Sequence, residues 1–101
     1  MSNRTDLQAM LEQILGSRNV YYQPPASVQM NYPAIVYSRK NIENTHADDV
    51  VYVQSYSYEI TYIDKRADSR VAFELSKLSK CRFDREYIAD NLYHYVYTLY
   101  Y

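Results

Sequence analysis

The sequence is poor in the residues that carry most recognisable chemistry: one cysteine, one glycine, two phenylalanines and no tryptophan. A lone Cys81 excludes an internal disulfide framework and a thiolate zinc cluster within one chain. A lone Gly16 rules out both common glycine-rich phosphate loops, which need several glycines at fixed spacing. No segment nears the roughly 20 apolar residues of a membrane span. Met1 to Asp6 has no apolar run behind it, so no signal peptide is expected. The formal net charge is −1, without the basic excess that a general nucleic-acid binder uses against phosphate. The expectation is one soluble domain over residues 1–101, intracellular at synthesis, with room for a single core.

Tyrosine is what the chain has instead, 14 of them. Its ring gives large contact area and its hydroxyl gives a polar tip, which suits interfaces. The densest stretch is Asn91 to Tyr101. There Tyr93, Tyr95, Tyr97, Leu99 and Tyr101 alternate with Leu92, His94, Val96, Thr98 and Tyr100. Alternation with period two is a strand signal. Neither set is strongly polar, so this reads as a central strand covered on both sides, or one whose outer face meets another subunit. It is expected to belong to the fold rather than to fray.

Thr5 to Leu15 reads as a helix. Leu7, Met10, Leu11, Ile14 and Leu15 make its apolar stripe, Thr5 with Gln8 fits a capping box, and Gly16 fits a left-handed C-cap. Asn19 to Gln23 is a short extended piece stopped by Pro24 and Pro25. After a loop, residues 34–42 and 50–63 read as a long hairpin, with Tyr56, Tyr58, Ile60 and Tyr62 on one face. The polar stretch Glu43 to Asp49 is expected to connect them, and part of the hairpin to project from the body as an arm. Asp68 or Ser69 is expected to cap a second helix running to about Leu78, striped by Val71, Leu75 and Leu78, with Lys77 and Lys80 near its C-terminal dipole. Cys81 to Phe83 is extended. Asp84 to Glu86 reads as one turn, and Asp90-Asn91 as another before the last strand. The expected fold is α+β: a two-layer, mainly antiparallel sheet with a long β-hairpin, packed against two helices in the order α-β-β-β-α-β-β.

Candidate chemistry is sparse. His94 lacks a recognisable carboxylate orienter and reads as a structural histidine. His46 with Asp48 and Asp49 reads as a solvated loop rather than a cation site. Cys81 beside Lys80 and Arg82 invites a depressed thiol pKa, against the commoner reading as a small buried hydrophobe. Asp84 and Arg85 suit an ion pair within or between subunits. Tyr37 with Arg39 and Lys40 suggests a base-stacking strand, set against a solvated face. No enzyme activity, cofactor or metal is expected. The tyrosine surplus reads either as ordinary sheet packing, each hydroxyl reaching water at the layer edge, or as subunit contact. A small interior takes too few of 14 phenols, so subunit contact is the favoured expectation. The interface candidates are Tyr56, Tyr58, Tyr62, Tyr93, Tyr95, Tyr97 and Tyr101.

Several strings carry a resemblance: Val20-Tyr-Tyr-Gln-Pro-Pro25, Val28-Gln-Met-Asn-Tyr-Pro-Ala-Ile-Val-Tyr37, Tyr58-Glu-Ile-Thr-Tyr-Ile-Asp64, Cys81-Arg-Phe-Asp-Arg85 and Asp90-Asn-Leu-Tyr-His-Tyr95. From about Leu7 to Tyr101 the chain resembles small head–tail joining and tail-completion proteins of tailed bacteriophages. Its element order is similar to that of tail terminators, which form a ring, usually hexameric, on the end of the tail tube. The resemblance implies a virion neck protein, present in the host cytoplasm during assembly. Its partners would be copies of itself, the tail-tube protein and head-completion or connector proteins, with DNA only as passing cargo and no membrane. It implies no catalytic residues. On that reading the acidic hairpin end, with Glu43, His46, Asp48 and Asp49, lines the channel or touches the tube. The alternatives are a head-completion or stopper protein, a small nucleic-acid-binding module and, last, a small hydrolase or nuclease.

Overall fold

The computed structural model describes the backbone of residues 4–25, 27–47, 50–66 and 70–100, and side chains over the same ranges except 41–56. The elements are α1 (Arg4–Leu15), β1 (Val20–Tyr22), β2 (Ala34–Ala47), β3 (Val50–Asp64), α2 (Arg70–Ser76), β4 (Cys81–Ala89) and β5 (Leu92–Tyr100). The strands form one sheet in the order β1-β2-β3-β5-β4. β1 lies parallel to β2, and every other neighbouring pair is antiparallel. The α+β class and the element order are those the sequence pattern implies.

Helix α1 buries Leu7, Leu11 and Leu15, one residue per turn along a single stripe. Its end follows the glycine rule. Gly16 adopts φ of 82°, and its N–H closes onto the Glu12 carbonyl at 2.8 Å. Its start differs from expectation. The helix begins at Arg4, so Thr5 lies inside it, and Gln8 does not cap. The Gln8 amide instead ties the helix to the sheet: Nε2 donates to the Val20 carbonyl at 3.0 Å and to Glu12 at 2.9 Å, while Oε1 accepts from the Tyr37 hydroxyl. A half-buried amide with both ends engaged is more useful here than a surface cap.

Helix α2 stops at Ser76, short of Leu78. The chain then tightens, with Lys77 N–H donating to Glu74 and Leu78 N–H donating to Leu75, each at 3.2 Å. Lys77 therefore lies beyond the helix, against Glu74 at 3.7 Å, while Leu78 still packs on the core. The proposed caps Asp68 and Ser69 lie outside the described residues. Arg70 reaches across to the Ile14 carbonyl at 3.0 Å, satisfying an orphan acceptor at the end of α1.

Both helices cover the same face of the sheet. The core joins Leu7, Leu11, Leu15, Val71 and Leu75 to Ile35, Tyr37, Tyr58, Ile60, Tyr62, Tyr95, Tyr97 and Leu99. β5 is central, between β3 and β4, as its two apolar faces suggest. On its other face Val96 and Thr98 are 1% and 2% exposed although no helix of the core cluster lies there.

Two stretches read as turns are strand. β2 runs through Glu43 to Ala47 without a polar loop, and the hairpin pairs to Ala47↔Val50. Asp84 to Glu86 stays within β4, where the register slips by one residue between Phe83 and Arg85. A bulge absorbs the extra residue that the sequence pattern presents as a break. Asp90 and Asn91 do form a two-residue hairpin turn, with φ of 53° and 62°, the left-handed pair that a tight antiparallel connection needs.

Leu11 is fully buried at the centre of the α1 stripe. Leu11→Ala should destabilise the chain by about 2–5 kcal/mol, read from the urea midpoint. A loss below about 1 kcal/mol would mean that α1 does not form the lid of this core.

Candidate functional site

Four of the tyrosines on β3 and β5 go inward, not outward. Tyr58, Tyr62, Tyr95 and Tyr97 are 4%, 1%, 7% and 2% exposed. This corrects their assignment to a subunit interface: the helices cover that face, so these rings are the core itself. Tyr62 stacks on Tyr95 at 5.9 Å, and Tyr97 meets Phe83 edge-on at 5.5 Å. The Tyr97 hydroxyl donates to the Ala72 carbonyl of α2 at 2.9 Å, and the Tyr62 hydroxyl donates to Asp64. Tyr93 is half-buried and packs against the same cluster. The side chain of Tyr56, and Tyr101 altogether, lie outside the described residues, as do the side chains of Glu43 and His46 and the whole of Asp48 and Asp49.

Other candidates resolve locally. Tyr37 is fully buried and hydrogen-bonded to Gln8, which removes it from any base-stacking surface with Arg39 and Lys40. His94 stacks on Tyr87 at 4.6 Å with the rings 12° apart. Its Nδ1 lies 3.1 Å from the Leu92 carbonyl, which can only accept, so Nδ1 carries a proton. Burial pushes the Cys81 thiol up, not down, and it packs on the core as a small apolar group. Asp84 and Arg85 pair at 2.9 Å while both stay exposed, an interaction worth about 0–1 kcal/mol.

A cleft of about 270 Å³ lies beside the last residues of β3, lined by Tyr32, Pro33, Asp64, Lys65 and Arg66. Its carboxylate is already engaged. Asp64 Oδ2 accepts from Tyr62, and Oδ1 accepts from the Lys65 and Arg66 amides at 2.6 and 3.3 Å. That makes it a turn-former rather than a free acid. Among the described residues no group of three or more His, Cys, Asp or Glu side chains is placed to hold a metal ion, and no helix is long and apolar enough to cross a membrane.

The surface features that stand out are strand edges. β4 is an edge strand of nine residues, and seven of them, Arg82 to Ile88, are exposed. Phe83, Tyr87 and Ile88 are 49%, 41% and 65% exposed, with Phe73 of α2 at 62%. At the opposite edge β1 is only three residues long and pairs with Ile35 to Tyr37. Gln23 extends that cover slightly, its side-chain oxygen accepting from Arg39 N–H at 3.5 Å. Beyond Arg39 the outer edge of β2 has no partner strand among the described residues.

The hairpin itself outruns the sheet. The last β3–β5 pair is Ser57↔Tyr100, and six β2–β3 pairs lie beyond it, from Ile42↔Tyr56 to Ala47↔Val50. Those pairs form a two-stranded arm roughly 20 Å long, consistent with molecular extents of 51 × 28 × 23 Å. The arm was legible in the hairpin's length. The exposed edge of β4 was not, because the bulge at Asp84 disguised one strand as two.

No family model, curated protein or solved structure matches this chain.

Two local tests follow from this geometry. Thr98 Oγ1 is buried with no hydrogen-bond partner among the described residues, between Glu59 and Arg82 in the ladder. Thr98→Val keeps the shape and removes the unsatisfied hydroxyl, so it should stabilise the chain by about 1 kcal/mol in urea unfolding. Destabilisation would show that the hydroxyl is bonded. Burial, aided by Cys81, Tyr95 and Glu86 nearby, pushes the Tyr97 phenol up to about 12. The folded state thus holds this proton more tightly than the unfolded chain. Its contribution is intact below the ordinary phenol value of 10.0 and is lost as pH rises from there through about 12. Tyr97→Phe should make the melting temperature fall less steeply over that window; parallel curves would contradict it.

Proposed function

We propose that this chain is a structural virion protein of the phage neck. Copies of it form a ring that caps the tail tube, stops tube polymerisation and joins the tube to the head. The observation that carries the reading is the arm. An isolated two-stranded ribbon is marginal in water, yet this one extends six register pairs past the sheet that supports it. An arm of that length is stabilised by lying on something else. The open edge of β4 supports the same reading, since a closed ring of heterologous contacts leaves no free strand edge. The resemblance of the sequence to tail-completion proteins supplies the neck as the place where this happens.

The mechanism is physical rather than catalytic. A ring seated on the last layer of tube protein removes the surface on which the next layer would add. Its other side then presents a rim to the completed head. Glu43, Asp48 and Asp49 give the arm negative charge, which disfavours sticking to DNA where it faces the channel.

Electron microscopy of a lysate from phage lacking this gene tests the reading. Overlong tubes beside DNA-filled heads are the expected result. Normal tails beside emptied heads would place the protein on the head side of the joint instead. Finished, infectious particles would overturn the neck assignment.

A further inference from the structure

We infer that the arm of one copy pairs with the β4 edge of the next: the outer edge of β2, from Lys40 to Ala47, lies antiparallel to Cys81–Ala89 of a second copy of this chain. The inference deepens the proposed ring and rests on it for the presence of neighbouring copies.

Four observations carry it. The first is direction. β2 is antiparallel to β3, β3 to β5 and β5 to β4, so β4 runs opposite to β2. A copy set alongside in the same orientation, and slid along the strand axis by the length of the arm, therefore offers its β2 antiparallel to β4. The second is length. The open part of β2 spans eight residues, Lys40 to Ala47, and β4 spans nine. β1 blocks the rest of β2, so the overlap is confined to the arm.

The third is charge. Residues 41–56 carry three acidic residues and neither lysine nor arginine, a charge of −3, which leaves the remainder of the chain at +2. Arm against arm is repelled; arm against body is attracted. The attraction is local as well. In the antiparallel overlap the arm end carrying Ala47 meets the start of β4, where Lys77, Lys80 and Arg82 are exposed. The fourth is apolar surface. Phe83 and Ile88 flank the β4 edge with 49% and 65% of their surface in solvent, and a neighbouring strand would cover them. The contact is heterologous: each copy uses its arm once and its β4 once, so the chain of contacts closes into a ring or continues as a filament.

Disulfide trapping tests this. The variant Ala47→Cys with Ser79→Cys, on a Cys81→Ala background, places one thiol near the arm end and one just before β4. Within one chain these sites cannot meet. Tyr58, Leu99 and Cys81 share one row across the sheet, and the arm end lies roughly 25 Å beyond it. Oxidation of the purified chain at hundreds of micromolar should give a covalent ladder of dimers, trimers and higher multiples, with neither single-cysteine variant doing so. Dimers from Ala47→Cys alone would show arm-to-arm contact and overturn the inference. Oligomers in sedimentation without a ladder would overturn this pairing but leave the ring reading standing. A chain that stays monomeric throughout would sink both.

Charge exchange gives a check that does not depend on the cysteines. Lys77→Glu with Lys80→Glu should weaken association about tenfold at low salt, as should Asp48→Lys with Asp49→Lys. Mixing the two variants should restore it, because each then offers the complement of the other. Two weakened variants that do not rescue one another would contradict the pairing.

Discussion

Burying a tyrosine commits the chain to finding a partner for its hydroxyl, and that requirement shapes this molecule. A phenol left unsatisfied in a core costs about 1–3 kcal/mol. The chain places five tyrosines in its core cluster. For three of them it sets acceptors at the margins of the sheet: Gln8 on α1 for Tyr37, Asp64 at the end of β3 for Tyr62, and the Ala72 carbonyl on α2 for Tyr97. Each bond also fixes an element. Gln8 sets the height of α1 over β1 and β2, Asp64 shapes the turn after β3, and Ala72 anchors α2 above β5. The position of the helices over the sheet follows from where the phenols end.

The helices cover one face, and among the described residues no element closes the outer edge of β4 or that of β2 beyond Arg39. β4 has no outer partner strand among the described residues, and the hairpin runs six register pairs past Ser57↔Tyr100, the last described β3–β5 pair. In a monomer both are liabilities of the kind that proteins ordinarily shorten or cover. Charges on β4 and the bulge at Asp84 discourage indiscriminate pairing without removing the edge. A partner with a matching strand and an acidic end answers both liabilities at once, and a second copy of the same chain carries that strand.

Most of the architecture was legible because local signals agreed with one another. The α1 stripe, Gly16 as its C-cap, the alternation in β3 and β5 and the Asp90-Asn91 turn all point to one fold. Two elements misled for the same reason. Glu43 to Ala47 and Asp84 to Glu86 are polar segments, and polarity reads as turn, yet both are held as strand by their ladders. Propensity is weak where pairing decides. The surplus of tyrosine points toward the surface because a phenol has a polar tip. Burial became possible through acceptors at distant positions: 29 residues separate Tyr37 from Gln8, and 25 separate Tyr97 from Ala72. Single-sequence patterning carries no trace of those pairs. The candidate surface therefore moved from the tyrosine faces to the strand edges.

The most direct test of the idea that a second chain holds the arm is amide hydrogen exchange as a function of protein concentration. Residues 40–47 and 82–89 should exchange slowly in concentrated solution, then speed up together on dilution, while the β5 amides stay protected throughout. Exchange in either segment that ignores concentration, or that slows in one segment without the other, would contradict pairing between them.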